Sequence, residues 1–247
     1  MMKKLDLSKP AIGSWCQIGH PAIAEILAHA GFSWLAADCE HGEFEDGALA
    51  NFCRAVQRFG TVPLVRVKEN APLAIRRALD LGAGGVIVPL VNSDAEARAA
   101  VRSAHYPPNG VRGFAWHAGN NWGVDFASYA KEFSPTVAVM IESKSAIENI
   151  DAIVAVDGVD ACFIGPYDLS GSYGVVGQTS HELVLKAIER VAVACKQHGK
   201  AAGQHIVVPT ADNLKAALNQ GFTFLGLGMD SHFLSSEARR WARVALV

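Results

Sequence analysis

The sequence predicts a single closed (β/α)8 barrel, an α/β TIM barrel occupying residues 1–247 as one domain. Three observations lead there. Eight short apolar runs recur along the chain without polar alternation, as expected of parallel strands covered on both faces. The stretches between them carry apolar residues at helical spacing, as in Ile23, Ile26, Leu27 and Ala30, or Leu183, Ala187, Ile188, Val191 and Cys195. Glycine closes several of these stretches (Gly31, Gly60, Gly82, Gly199, Gly221), where a helix end turns into left-handed backbone. A doubly wound open sheet is the competing architecture, but no Gly-x-Gly-x-x-Gly fingerprint follows the first run.

In chain order, the first strand is predicted over 13–18 and the second over 34–38, which closes on Asp38. The third, 63–67, encloses Arg66, and the fourth, 85–89, ends on Pro89. The fifth, 137–142, closes on Glu142, and the sixth, 161–165, leads into Gly165-Pro166-Tyr167-Asp168. The seventh spans 201–206 and the eighth 222–228. The irregular stretch 106–125, rich in Pro, Gly, Asn and Trp, lies between the fourth helix and the fifth strand. A long loop of this kind in a compact domain serves function or an interface.

Composition narrows the partners. Half of the residues are hydrophobic (50%) and 19% are charged, which excludes a disordered chain. A net charge of -2 supplies no basic field for nucleic acid or acidic membranes, so the expected partners are a small molecule and further copies of the chain. No run is long enough to cross a bilayer; the stretch 84–91 is strand-sized. Lys3 and Lys4 are followed by Asp6, Ser8, Lys9 and Pro10 rather than an apolar region, so no secretory leader is predicted. The five cysteines (Cys16, Cys39, Cys53, Cys162, Cys195) are odd in number and lack CxxC spacing. They are expected to be reduced, in a cytoplasmic protein.

A barrel of this type carries its chemistry at the C-terminal ends of its strands. Glu142 and Asp168 fall at neighbouring ends, where two close carboxylates repel unless a cation lies between them. Hard oxygen donors without Cys or His favour Mg²⁺ or Mn²⁺; the alternative is that each carboxylate caps the helix that follows. Arg66, within Leu-Val-Arg-Val, is either a fixed cation facing a developing oxyanion or a structural partner of Asp38 or Glu142. His41, three residues after Asp38, fits a general base held by a carboxylate; the other eight histidines are given no catalytic role. Gly226-Leu227-Gly228 has the look of a phosphate cradle, but with no Lys or Arg nearby, close packing is the favoured reading. Phe114, Trp116 and Trp122 are expected at a subunit interface rather than at a substrate mouth.

Together, Asp38-x-Glu40-His41-Gly42, Arg66, Asp80 in Leu-Asp-Leu-Gly, Tyr106-Pro107-Pro108 to Arg112-Gly113, Ile141-Glu142 and Phe163-Ile164-Gly165-Pro166-x-Asp168-Leu169-Ser170 resemble the HpcH/HpaI family of class II pyruvate aldolases. That family includes 4-hydroxy-2-oxoheptanedioate and 2-dehydro-3-deoxyglucarate aldolases, and the likeness runs in order from Gly13 to Gly228.

The resemblance implies reversible cleavage of a 4-hydroxy-2-oxo acid to pyruvate and an aldehyde. It also implies Mg²⁺ or Mn²⁺, with Co²⁺ or Zn²⁺ as substitutes, on Glu142 and Asp168, with pyruvate chelating the ion. It places the substrate against Gly165, Pro166, Tyr167, Asp168, Trp15 and His205. Arg66 is to stabilise the enolate oxygen, and His41 to move the proton through water, oriented by Asp38 and made more basic by Asp80. A homohexamer exchanging its last helix, residues 235–247, is also implied. No lysine stands at the proposed strand ends, consistent with chemistry that needs no Schiff base.

Three departures bear on the substrate. Met140 replaces a glutamine of some members, Gln204-His205 replaces apolar residues, and the loop 116–122 lacks an arginine found in dicarboxylate-cleaving relatives. A hydroxylated, sugar-derived aldehyde is therefore expected rather than succinic semialdehyde. Two readings compete: oxaloacetate decarboxylation at the same centre, and a non-catalytic oxo-acid binding protein.

Overall fold

The computed structural model describes residues 4–244. Residues 1–3 of the expected leaderless start and residues 245–247 of the predicted exchanged segment lie outside the described residues. The strands β1 (Ala11–Cys16), β2 (Trp34–Asp38), β3 (Val62–Arg66), β4 (Gly85–Val88), β5 (Thr136–Ile141), β6 (Ala161–Ile164), β7 (Ala201–Ile206) and β8 (Phe222–Met229) close into a barrel in sequence order. Each pairs in parallel with its neighbours, and β8 returns to β1. The helices are α1 (Pro21–His29), α2 (Asp46–Gln57), α3 (Pro72–Asp80), α4 (Asp94–Ala104), α5 (Phe126–Glu132), α6 (Lys144–Glu148), α7 (Ile150–Val154), α8 (Pro166–Ser172), α9 (Glu182–Gln197), α10 (Ala211–Asn219) and α11 (Asp230–Val244).

Near-continuous apolar strands bury both faces, and this divides the core in two. Outside the sheet, residues such as Leu35, Val65, Val86, Val139 and Ile164 pack against the helices. Inside it, Trp15, Trp34, Leu64, Ile87, Phe163 and Phe224 fill the lumen. The lumen aromatics meet edge to face, Trp15 with Phe163 at 5.5 Å and with Trp34 at 6.2 Å between ring centres. Such bulk needs glycine opposite it: a Cβ on Gly13 would sit 2.1 Å from the Trp34 ring.

Most strand limits lie within one residue of expectation, Glu142 and Gly165 falling just past β5 and β6, and two larger differences have physical reasons. β1 stops at Cys16 because the N–H groups of Gln17 and Ile18 donate to the buried Asp230 carboxylate (2.9 Å each) instead of to a neighbouring strand. The stretch 106–125 is not wholly irregular, since a short 3-10 segment (Ala118–Gly123) precedes α5. Helix α11 extends from the barrel with only Asp230 buried, leaving Leu234, Trp241 and Val244 exposed.

Candidate active site

Asp38 and Arg66 end adjacent strands in direct register, which lays the guanidinium along the carboxylate. Arg66 Nε donates to Asp38 Oδ1 at 2.9 Å and Nη2 to Oδ2 at 2.6 Å, a bidentate pair. The same carboxylate accepts the backbone N–H of Glu40 (3.2 Å) and His41 (3.1 Å), so it also shapes the turn after β2. Burial pushes the Asp38 carboxyl up, but hydrogen bonding and charge from Arg66 outweigh it and hold the group below the ordinary carboxylate range. The guanidinium lies 5.0 Å from the centre of the Trp15 ring, and its Nη1 reaches Glu40 Oε2 at 3.2 Å.

Glu142, one residue past β5, is buried, and its Oε1 accepts the Leu90 N–H at 2.7 Å. Leu90 adopts a positive φ of 55°, a conformation costly for a side chain with a Cβ; here the strained turn after β4 presents this N–H to the carboxylate. Asp168 comes from the first turn of α8, and among the described residues it has no ion-pair partner. The two carboxylates converge over Gly165, where a Cβ would stand 2.9 Å from Glu142 Oε2 and 3.5 Å from Asp168 Oδ2. Burial raises Glu142, the Leu90 N–H opposes this, and the Glu40 and Asp168 charges raise it further.

That arrangement fits a divalent cation: hard-oxygen donors of two carboxylates approach the same space beside Gly165, which a methyl group would fill, with anionic repulsion a cation would relieve. No group of three or more His, Cys, Asp or Glu forms a metal cage among the described residues. Two carboxylates suit an ion that keeps its remaining positions for water and substrate oxygens.

Two expectations need correction. Asp38 holds the backbone of His41, not its ring; the exposed imidazole instead has Nε2 3.7 Å from Glu40 Oε2. Asp80 is not brought to this rim within the chain. It ends α3, where Arg112 Nη2 donates to its carboxylate at 3.1 Å and His117 Nε2 lies 3.5 Å away. Arg112 is buried among Tyr106, Tyr129 and Phe133, and burial lowers His117 although the Asp80 charge opposes it.

Trp15, Asp38, Arg66, Met140, Gly165, Pro166, Tyr167, Asp168 and His205 share a cavity of about 1270 Å³ at the C-terminal rim, which continues between α9 and α10. Tyr167 is exposed at its edge. His205 Nε2 meets the Gly228 carbonyl at 3.0 Å, and burial pushes the imidazole down to about 4. Gly226 and Gly228 are packing glycines, making room for Trp15 and Phe233, as expected. Phe114, Trp116 and Trp122 are exposed and line no part of this cavity. Glu40, Leu90 and Asp230 are the contributors given no role from sequence. Glu40 stood within the quoted motif, whereas neither a positive φ nor an amide-capturing aspartate has a sequence signature here.

The HpcH/HpaI aldolase/citrate lyase profile matches residues 11–236, every strand and all of the rim described above. The chain belongs to this family. It is 37% identical over 235 residues to 5-keto-4-deoxy-D-glucarate aldolase of Klebsiella pneumoniae, covering 94% of this chain and 90% of that one. It is 38% identical over 230 residues to 2-dehydro-3,6-dideoxy-6-sulfogluconate aldolase of Pseudomonas putida, covering 92% and 89%. The crystal structure of a HpcH/HpaI aldolase/citrate lyase family protein from Burkholderia cenocepacia superposes with a TM-score of 0.91 at 30% identity, covering 97% of this chain and 95% of that one. This HpcH/HpaI chain is thus a carbon–carbon lyase of the aldolase type. No helix among its described residues is long and apolar enough to cross a membrane.

Proposed function

We propose that this aldolase cleaves a 2-dehydro-3-deoxy sugar acid reversibly to pyruvate and an aldehyde, using Mg²⁺ or Mn²⁺ held by Glu142 and Asp168. The observation that carries the reading is the convergence of these carboxylates over Gly165 at the rim that also holds Arg66. When bound, the ion supplies a Lewis acid to the oxo group. In cleavage, the proton of the C4 hydroxyl leaves, the C3–C4 bond breaks, and its electron pair moves into the enolate of pyruvate as the aldehyde departs. Protonation at C3 then completes pyruvate.

Arg66 is suited to the oxygen on which charge develops, because Asp38 and Trp15 fix its guanidinium before the reaction begins. His41 is the proposed proton carrier through water, with Glu40 rather than Asp38 beside its ring. Gly165, Pro166 and Tyr167 give the turn against which the substrate carboxylate lies, and Trp15 and His205 face the substrate from β1 and β7. The protein is further proposed to act as a cytoplasmic homo-oligomer that exchanges α11, a helix with almost no buried surface in its own chain.

Pyruvate release from a 2-oxo-3-deoxy sugar acid in the presence of Mg²⁺ or Mn²⁺ tests the reading. Glu142→Ala should abolish release, and activity that survives both EDTA and this substitution would overturn the metal role. Solvent deuterium exchange into the pyruvate methyl group reports enolate formation without any aldehyde. Running oxaloacetate in parallel separates decarboxylation, which would use the same Arg66, Glu142 and Asp168.

A further inference from the structure

Gln17 leaves the end of β1, and every polar group it has is engaged. Its N–H donates to both oxygens of Asp230 (2.9 and 3.0 Å), and its carbonyl accepts the Glu43 N–H at 2.8 Å. Its side-chain Oε1 accepts from the Ser231 hydroxyl at 2.7 Å, and Nε2 donates to Asp38 Oδ2 at 3.4 Å. The amide orientation follows from chemistry: an ionised Asp38 only accepts, so the NH2 faces it and Oε1 turns to Ser231. One residue thus joins β1, the end of β2, the turn that carries Glu40 and His41, and the start of α11, and it borders the cavity at the rim.

The first turn of α11 is built to hold it. The Asp230 carboxylate accepts three backbone N–H groups, those of Gln17, Ile18 (2.9 Å) and Ser231 (2.7 Å), and this fixes the path of the chain as it leaves β1. Asp230 is also the only buried residue of α11 among those described. The single anchor of this helix on its own barrel is therefore the group that clamps Gln17, and the next side chain, Ser231, takes the Gln17 amide.

At the other end of the chain of contacts, the two Asp38 oxygens are supported unequally. Oδ1 receives Arg66 Nε and the amides of Glu40 and His41, whereas Oδ2 receives only Arg66 Nη2 and Gln17 Nε2. Without Gln17, Oδ2 is left with the guanidinium alone. The carboxylate is then free to pivot about Oδ1 and carry Arg66 with it.

We propose, resting on the aldolase reading, that Gln17 is a positioning residue for the Asp38–Arg66 pair, held for that task by Asp230 and Ser231. The first turn of α11 is then part of the frame of the site.

The test is solvent deuterium exchange into the pyruvate methyl group with Mg²⁺. Gln17→Met, close in size but unable to donate to Asp38, should lower kcat for exchange about tenfold or more with KM for pyruvate little changed, because Arg66 acts on charge that develops after binding. A raised KM with kcat intact would make Gln17 a substrate contact and overturn the positioning role. Gln17→Glu keeps an acceptor for Ser231 but turns a carboxylate on Asp38, so at mildly alkaline pH it should be slower still; a rate no lower than that of Gln17→Met overturns the donor role. Ser231→Ala should lower kcat by less and add little in the Gln17→Met background, whereas losses that add in full overturn the link to α11. Circular dichroism and melting temperature monitor the barrel in each variant. Should Gln17→Met fail to fold, Ser231→Ala, at a partly exposed hydroxyl, reads the same division between kcat and KM. Exchange by the unsubstituted protein that these variants leave unmoved overturns this inference alone, and no exchange by the unsubstituted protein overturns the aldolase reading with it.

Discussion

Arg66 is the side chain on which the rim converges, held at once by the Asp38 carboxylate, Glu40 and the Trp15 face. Its planar fork, and not just its charge, is what Asp38 recognises, so Arg66→Lys should lower kcat about 100-fold or more in steady-state assays while leaving the protein folded. This much was legible in sequence, because an arginine inside an apolar strand must find an anion. Which carboxylate faces the His41 ring was not legible: Asp38 and Glu40 differ by two positions, and only the turn decides that Asp38 takes the amide and Glu40 the imidazole. His205 carries a pH prediction with a definite sign. Its value falls from 6.5 unfolded to about 4 folded, so the native state binds fewer protons in that window, and stability is full above 6.5 and falls as pH drops toward 4. The loss amounts to about 3 kcal/mol at most. Thermal melts from pH 7 to 4.5 should show a shallower decline for His205→Gln than for the unsubstituted protein, with His117, also lowered by burial, contributing part of the remaining slope.

At the scale of elements, the site is a set of strand ends and the turns that leave them. The turn from β6 into α8 works because Gly165 leaves room between Glu142 and Asp168. Gly165→Ala inserts a methyl group there, so pyruvate formation should be lost while circular dichroism and the melting temperature change little; full activity would show that the carboxylates act apart. Behind the site, Gly226→Ala would press on the Trp15 indole and displace it. Overpacking of this kind costs about 1–3 kcal/mol, a loss that urea unfolding would measure. The eight strands were readable because burial on both faces leaves continuous apolar runs, and Glu142 and Asp168 because each follows one of them. The positive φ of Leu90 and the capture of the Gln17 and Ile18 amides by Asp230 were not, since both join chain segments whose meeting depends on barrel closure.

For the whole molecule, closure in sequence order makes every strand a neighbour of the next, which is why separate motifs along the chain meet at one mouth. Asp80 marks where that logic stops: it ends a helix rather than a strand, and its carboxylate is engaged by Arg112. Helix α11 is the other exception, with an amphipathic sequence but little of its own barrel to cover. Leu234, Trp241 and Val244 are each about 60% exposed, a loss of apolar burial that a second copy would recover. If α11 is exchanged, charges on that face should disrupt assembly without unfolding the barrel, since these side chains are largely outside its core. Leu234→Glu combined with Trp241→Glu should therefore reduce the mass found by sedimentation equilibrium while far-ultraviolet circular dichroism is retained. An unchanged mass would place the contact between copies elsewhere, with the exposed Trp116 and Trp122 as the next surface to test.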